Sequence, residues 1–349
     1  MKLTYATTVN SRIALQTIRR GVLLEQYKNG EVRKVVSFLN RQVEPDLAAS
    51  LQKYAGKEFT ANRLRLVQEA VWDITGNGYK DMGRQVRNDL LEQAPVDAAA
   101  TAKIVRQSLP LDIDLTVPSL AALRQVVTGT PINGHFVPEW FEALADGTAR
   151  RVNQQVAIGY AEGEGIDQIV RRIVGTRANR YRDGILRRSR SDVESVVRTA
   201  IAGVSHNVRD ETYRANKDIV KEVSWTAALD PRTCEVCMDL DGRTFDVDDV
   251  PGLPHVNCRC ATVPVLASWK EMGLSLEELS ASTRASMDGQ VPESLTYPEW
   301  LRRQSDEVQA EALGVRKAEL FRAGDLEISD FVGDNNRILT LKELEALVN

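Results

Sequence analysis

Four cysteines and one histidine carry the chemistry that this 349-residue chain can most readily do. Cys234 and Cys237 form a C-x-x-C pair, and His255 and Cys258 an H-x-x-C pair, with Cys260 two residues further on. The loop of about seventeen residues between the two pairs is of the length that structural zinc sites use. Thiolates and imidazole are soft ligands that suit zinc, whereas magnesium and calcium take oxygen. Cys234, Cys237, His255 and Cys258 are the first choice of ligands. Cys260 is a rival fourth ligand, because C-x-C leaves two thiols within reach of one ion. Disulfides and ordinary buried thiols are the alternatives, and a chain made in a reducing cytoplasm favours zinc over disulfides.

Short elements must bring these donors together. Ser224–Ala227, Thr244–Val247 and Ala261–Val265 have the β-branched and aromatic content of strands. Asp230-Pro231 and Asp241-Gly242 are turn dipeptides between them. Pro251–Pro254 forms a stiff loop that delivers His255 and Cys258. So short a segment buries little apolar surface, so coordination would supply folding energy directly.

The same residues resemble a known family. D-x-R-T-C-x-x-C-x-x-x-D-G followed by P-H-x-N-C-R-C is similar to the C-terminal module of phage Mu F-type minor head proteins, which act in head morphogenesis of tailed bacteriophages. The positions that carry the likeness are Asp230, Arg232, Thr233, Cys234, Cys237, Asp241, Gly242, Pro254, His255, Asn257, Cys258, Arg259 and Cys260. It extends from about Asp192 to Leu266, and the first half of the chain has no comparable signature. The resemblance implies a non-enzymatic component of capsid assembly and DNA packaging. Its place would be inside the head near the portal vertex, reached from the host cytoplasm during assembly. Its partners would be the portal protein, the major capsid or scaffold protein, and packaged double-stranded DNA.

Composition sets wider bounds. Hydrophobic residues make up 43% and charged residues 27%, ordinary values for a soluble protein, and the net charge of −4 announces no global affinity for nucleic acid. No apolar run is long enough to span a bilayer, so no membrane is expected, and MKLTYATTVNSR lacks the apolar core of a secretory signal. The expected fold is mainly α. A multi-helix N-terminal region (1–110) and a connector (111–138) precede a helical arm (139–220). A small β-rich zinc-knuckle module (221–268) and a short helical tail (269–349) complete it.

Within the N-terminal region, one stripe from Ile13 to Leu23 ends near Gly30, and a second from Val32 to Leu39 stops at Glu44-Pro45. Helical segments follow over Asp46–Tyr54, Ala61–Thr75, Asp81–Leu91 and Val96–Ser108. Gly76-Asn77-Gly78 reads as a turn, and no phosphate-cradling loop accompanies it. His135 and His206 read as surface residues.

The arm is locally basic. Arg171, Arg172, Arg177, Arg180, Arg182, Arg187, Arg188 and Arg190 are opposed within that span only by Asp183. Packaged DNA, an acidic partner subunit or plain solvation would each suit such a run. Ser191–Glu194 reads as a capping box opening an amphipathic helix through Val193, Val197, Ile201, Val204 and Val208. Ser275–Glu278, Thr296–Glu299 and Thr340–Glu343 mark three further helix starts, with Gly314 and Gly324 as C-caps. The tail reads as a clamp on the module or on a neighbour.

Two other functions compete. A zinc hydrolase needs an open coordination position and a carboxylate base, and no H-E-x-x-H signature is present. A zinc-containing DNA-binding regulator needs a recognition helix and a basic domain.

Overall fold

A computed structural model describes residues 9–55, 60–109, 113–267, 283–292 and 294–348. The chain divides into two compact units, and neither is contiguous. One comprises residues 24–94 and 124–204, the other residues 1–23, 95–123 and 205–349.

The first unit is built from helices. Helix α1 (Val9–Phe38) runs on past Gly30, and a π-helical turn over Leu39–Val43 joins it to α2 (Glu44–Gln52). Glu44-Pro45 therefore starts a helix instead of ending one. Pro45 falls at the first turn of α2, just after the π-helical turn closes with the Glu44 N–H on the Leu39 carbonyl. Helix α3 (Ala61–Ser108) is continuous across the expected breaks at Gly76–Gly78 and contains Pro95. Contact explains these glycines, and turning does not. A Cβ on Gly78 would lie 2.5 Å from Val43 Cγ2, and one on Gly83 would lie 3.1 Å from Phe141. The connector holds a helix of its own, α4 (Leu120–Gly129). A tight turn follows, with an Ile132–His135 bridge and Asn133-Gly134 in left-handed conformation. His135 is exposed there, as expected, edge-on to Trp140.

Helices α5 (Val137–Ala161) and α6 (Ile166–Val174) pack through Gly159, whose Cβ would meet Ile169 at 2.5 Å. A buried chain of hydroxyls joins Tyr79, Thr148 and Ser189 at 3.0 Å each. Helix α7 (Leu186–Arg214) starts five residues before the expected capping box, so Ser191 lies inside it and Glu194 pairs with Arg198.

The second unit holds the donors. Its sheet has the order β2-β1-β3, all antiparallel, from β1 (Val220–Thr226), β2 (Thr244–Asp246) and β3 (Ala261–Leu266). A bulge between Val220 and Glu222 inserts one residue, which lets Val220 and Val223 share a face despite their odd separation. That face buries Val220, Val223 and Val263 with Ile13, Val105, Leu109 and Tyr213, so the end of α7 packs on the sheet. Among the described residues, no helix is long and apolar enough to cross a membrane.

The tail forms a core with the module. After a hairpin of β4 (Thr283–Ser286) and β5 (Gly289–Pro292) come helix α9 (Tyr297–Arg302), α10 (Asp306–Leu313) and α11 (Val315–Ala323). A second short hairpin and a last helix over Leu341–Val348 close the chain. Tyr297, Trp300, Leu301, Phe321 and Phe331 bury themselves with Leu229 and Met238. Of the tail's two readings, the clamp on the module is the one the packing supports. The capping boxes at Thr296 and Thr340 and the caps at Gly314 and Gly324 are present. The expected start at Ser275 lies outside the described residues.

Candidate metal centre

A six-residue helix between the knuckles, not anticipated from sequence, sets the site. Helix α8 (Glu235–Leu240) takes Cys234 as its N-cap, with the sulfur accepting from the Cys237 N–H at 3.4 Å. One turn of helix thus puts both thiols on the same side. The returning loop brings His255 Nε2 to 3.3 Å and Cys258 Sγ to 3.7 Å from Cys237 Sγ. Donor atoms of Cys234, Cys237 and His255 lie within 4.8 Å of one another, as do those of Cys237, Cys258 and Cys260. All five expected donors are therefore brought together, Cys237 is common to both triads, and either cluster could hold a metal ion. The four thiols are free.

Electrostatics follow from this crowding. Hydrogen bonding, from Cys237 above all and then His255, lowers the Cys234 thiol to about 5. Cys258 falls well below the usual thiol range, with Cys237 and Cys260 as its donors. Cys237 is pushed far up by hydrogen bonding with Cys234 first and then Cys258. His255 rises to about 10 beside Cys234 and Cys258. Its Nδ1 lies 2.8 Å from the Val256 carbonyl. A proton held there leaves Nε2 turned toward the sulfurs, the tautomer that a ligand imidazole needs.

Residues of the two motifs brace the site. Asp230 and Arg259 form a bidentate pair at 2.7 Å and 2.7 Å, tying the loop before Cys234 to the residue between Cys258 and Cys260. That pairing holds Asp230 down at about 2, with Arg259 the chief cause. Asp230 Oδ1 also accepts from the Arg232 N–H, and the Thr233 hydroxyl donates to the Ala228 carbonyl. Asn257 has φ of 57°, a left-handed conformation that asparagine tolerates better than most residues.

Asp241 does more than turn the chain. Both its oxygens accept from Arg284, at 2.9 and 3.0 Å, and they also take the backbone N–H groups of Ala227 and Tyr297. The pair is buried, and Arg284 donates as well to the carbonyls of Ala227 and Leu295. Lys317 reaches Glu235 at 2.7 Å. No local pattern marks Arg284, 43 positions from its partner. His206 is also corrected. It is buried against Trp225, with Nε2 3.1 Å from Asp210 and 3.0 Å from the Pro251 carbonyl. A buried carboxylate one helical turn away explains a polar residue on an inner face.

Residues 150–263 match the family described as Phage Mu protein F like protein. This stretch is Mu F-like. The chain is also 24% identical to the minor head protein GP7 of Bacillus phage SPP1 over 259 residues, covering 68% of this chain and 78% of that protein. No solved structure matches. The Mu F-like stretch contains all five donors and the arginine run.

Those arginines are not equivalent. Arg172 pairs with Glu162 and Glu164, Arg188 with Asp192, and Arg190 with both oxygens of Glu44 at 2.8 and 2.7 Å. Acids outside the run therefore neutralise three of them. Arg171 bonds the Asp167 carbonyl and stays exposed. Arg177, Arg180, Arg182 and Arg187 are exposed, and no acid pairs with them among the described residues.

Proposed function

We propose that this chain is a structural minor head protein of a tailed phage, and that one zinc ion fastens its Mu F-like module. Cys234, Cys237, His255 and Cys258 are the ligands, with Cys260 as the alternative fourth. The observation that carries the reading is the pair of donor triads, joined at Cys237, inside the matched residues. Thiolates about 2.3 Å from a tetrahedral zinc stand roughly 3.8 Å apart, and Cys237 and Cys258 lie 3.7 Å apart. A disulfide would need about 2.05 Å. Five donors for four positions make a closed site, which suits a structural ion over a catalytic one.

The role that follows is mechanical. Zinc would fasten the two donor loops to each other beside a sheet already packed on one face, within a protein made for procapsid assembly and DNA packaging. The name of the head protein it matches supports a place in the phage head; the finer reading proposed here, from the Mu F-like resemblance alone, is a position near the portal vertex against portal, major capsid or scaffold protein. Metal analysis of the purified chain, together with its position in a procapsid map, tests this. About one zinc per chain and density at the portal vertex are expected; a metal-free chain with paired thiols would remove the zinc, and density spread over the shell would remove the location.

A further inference from the structure

We propose that the loop Thr176–Gly184, with Arg187 beside it, is a preformed contact for the phosphate backbone of duplex DNA. The loop is a knot. Asp183 accepts from the Thr176 N–H and hydroxyl at 2.7 Å each and from Asn179 Nδ2 at 2.9 Å. These bonds hold its carboxyl well below the ordinary carboxylate range, Asn179 first among the causes. Tyr181 N–H closes on the Thr176 carbonyl at 2.9 Å, and Arg180 N–H on the Arg177 carbonyl at 3.0 Å. Gly175 and Gly184 meet at the neck, where a Cβ on Gly184 would lie 2.3 Å from the Gly175 nitrogen.

Arg180 and Tyr181 are both left-handed, with φ of 53° and 58°. Two such residues in succession cost free energy and persist only where the surroundings fix them. Arg190 supplies part of that fixing, since it bonds Glu44 and also the Tyr181 carbonyl at 3.0 Å. The run therefore divides its work. Arg172 and Arg190 are struts, while Arg177, Arg180, Arg182 and Arg187 are exposed and form no ion pair among the described residues, the loop's one carboxylate, Asp183, being taken up by Thr176 and Asn179.

Charge alone does not choose a partner, but the loop's composition does. A protein interface is built around a buried apolar or aromatic centre, and here Tyr181 is the single large apolar side chain exposed between Arg171 and Arg190. A polyphosphate is held by guanidinium groups and backbone geometry with no apolar centre. A rigid display also spares the ordering cost that free arginine side chains on a mobile loop would carry. Only the biological source of the DNA rests on the head-protein reading; metal content and head location are tested separately.

Binding of the full chain to random-sequence duplex, titrated with salt, tests the loop. Arg177→Glu/Arg180→Glu/Arg182→Glu should weaken binding by about tenfold or more and flatten the log–log salt slope by about 2.7, near 0.9 per phosphate lost. Lys80→Glu/Arg87→Glu/Lys103→Glu, a charge-matched change of exposed residues on α3, should do markedly less. Equal loss in both triples would overturn the site. Asp183→Ala separates geometry from charge. It makes the loop more positive yet unfastens it, so weaker binding supports the preformed contact and tighter binding sinks it. Circular dichroism confirms that each variant folds. Binding to a polyglutamate peptide as tightly as to duplex would assign the loop to an acidic protein and overturn the proposal.

Discussion

The cysteine module and the glycine-packed helices solve the same problem with opposite means. In the module, the specific contacts are few and local: two donor triads that could hold an ion, one buried Asp241–Arg284 pair and one Asp230–Arg259 pair. In the unit comprising residues 24–94 and 124–204, holding is spread over surfaces, where α3 meets Val43 at Gly78 and Phe141 at Gly83. A few specific atoms can fix a short irregular segment, and losing one of them is severe. Distributed packing divides the stability among many contacts, and it resists added volume.

The largest effect should come from the shared donor. Cys237→Ser removes the sulfur that both triads use, and it should lower zinc affinity by more than the roughly 100-fold that loss of a mere supporting residue can cause. Because Met238 and Glu235 of the same helix anchor the tail, amide exchange in α9 and α11 should quicken along with that of the sheet. A chelator should reproduce the change in the unaltered chain. Protected tail amides in a metal-free protein would show that α8 is held from the tail side alone. Cys260→Ser should be milder if His255 is the fourth ligand, and equal severity would exchange their roles.

Next comes the buried ion pair. Asp241→Asn leaves Arg284 without its counter-charge and should cost about 3–5 kcal/mol in chemical denaturation. The paired change Asp241→Leu/Arg284→Met should recover most of that, since an apolar pair of similar bulk needs no compensation. If the double variant is as unstable as the single, the backbone bonds from Ala227 and Tyr297 to Asp241 carry the effect instead.

The helices predict a change of sign between near neighbours. Gly76 and Gly78 both lie inside α3, yet a Cβ on Gly76 meets nothing within 4 Å. Gly76→Ala should stabilise by up to about 1 kcal/mol, through helix propensity alone. Gly78→Ala makes the same gain but drives a methyl into the stiff, buried Val43, for a net loss of about 1 kcal/mol. Equal effects at the two sites would mean that α3 and Val43 can separate freely.

This contrast also governs what the sequence could disclose. The donors, the three strands and the turn at Asp241-Gly242 were legible because each is a local pattern of a few residue types. Glycines in α3 read as a turn, because sequence shows the missing side chain and not the Val43 that needs its space. Pro45 looked like a stop, since the π-helical turn that receives it has no signature of its own. His206 and Arg284 were invisible for a further reason. Arg284 is defined by Asp241 on another element, with no spacing rule to link them, and although Asp210 lies four residues from His206, the Pro251 carbonyl and Trp225 that bury the imidazole come from other elements.

The smallest effect tests the module's outer brace by pH. Asp230 sits at about 2 through Arg259, below the unfolded value of about 3.9. A carboxyl lowered on folding adds stability that is complete above the unfolded value and lost as pH falls from about 4 through about 2. Arg259→Gln removes the main cause, so the variant should lose most of that acid-sensitive stability while Arg232 keeps a little. The pair lies near the surface, which limits the difference to about 1 kcal/mol or less at pH 7. Denaturant midpoints of the two proteins should then converge as pH approaches 2. Parallel curves across that range would mean that Arg259 acts by filling space beside Cys258 and Cys260, and that the module's polar atoms matter less than its sulfur.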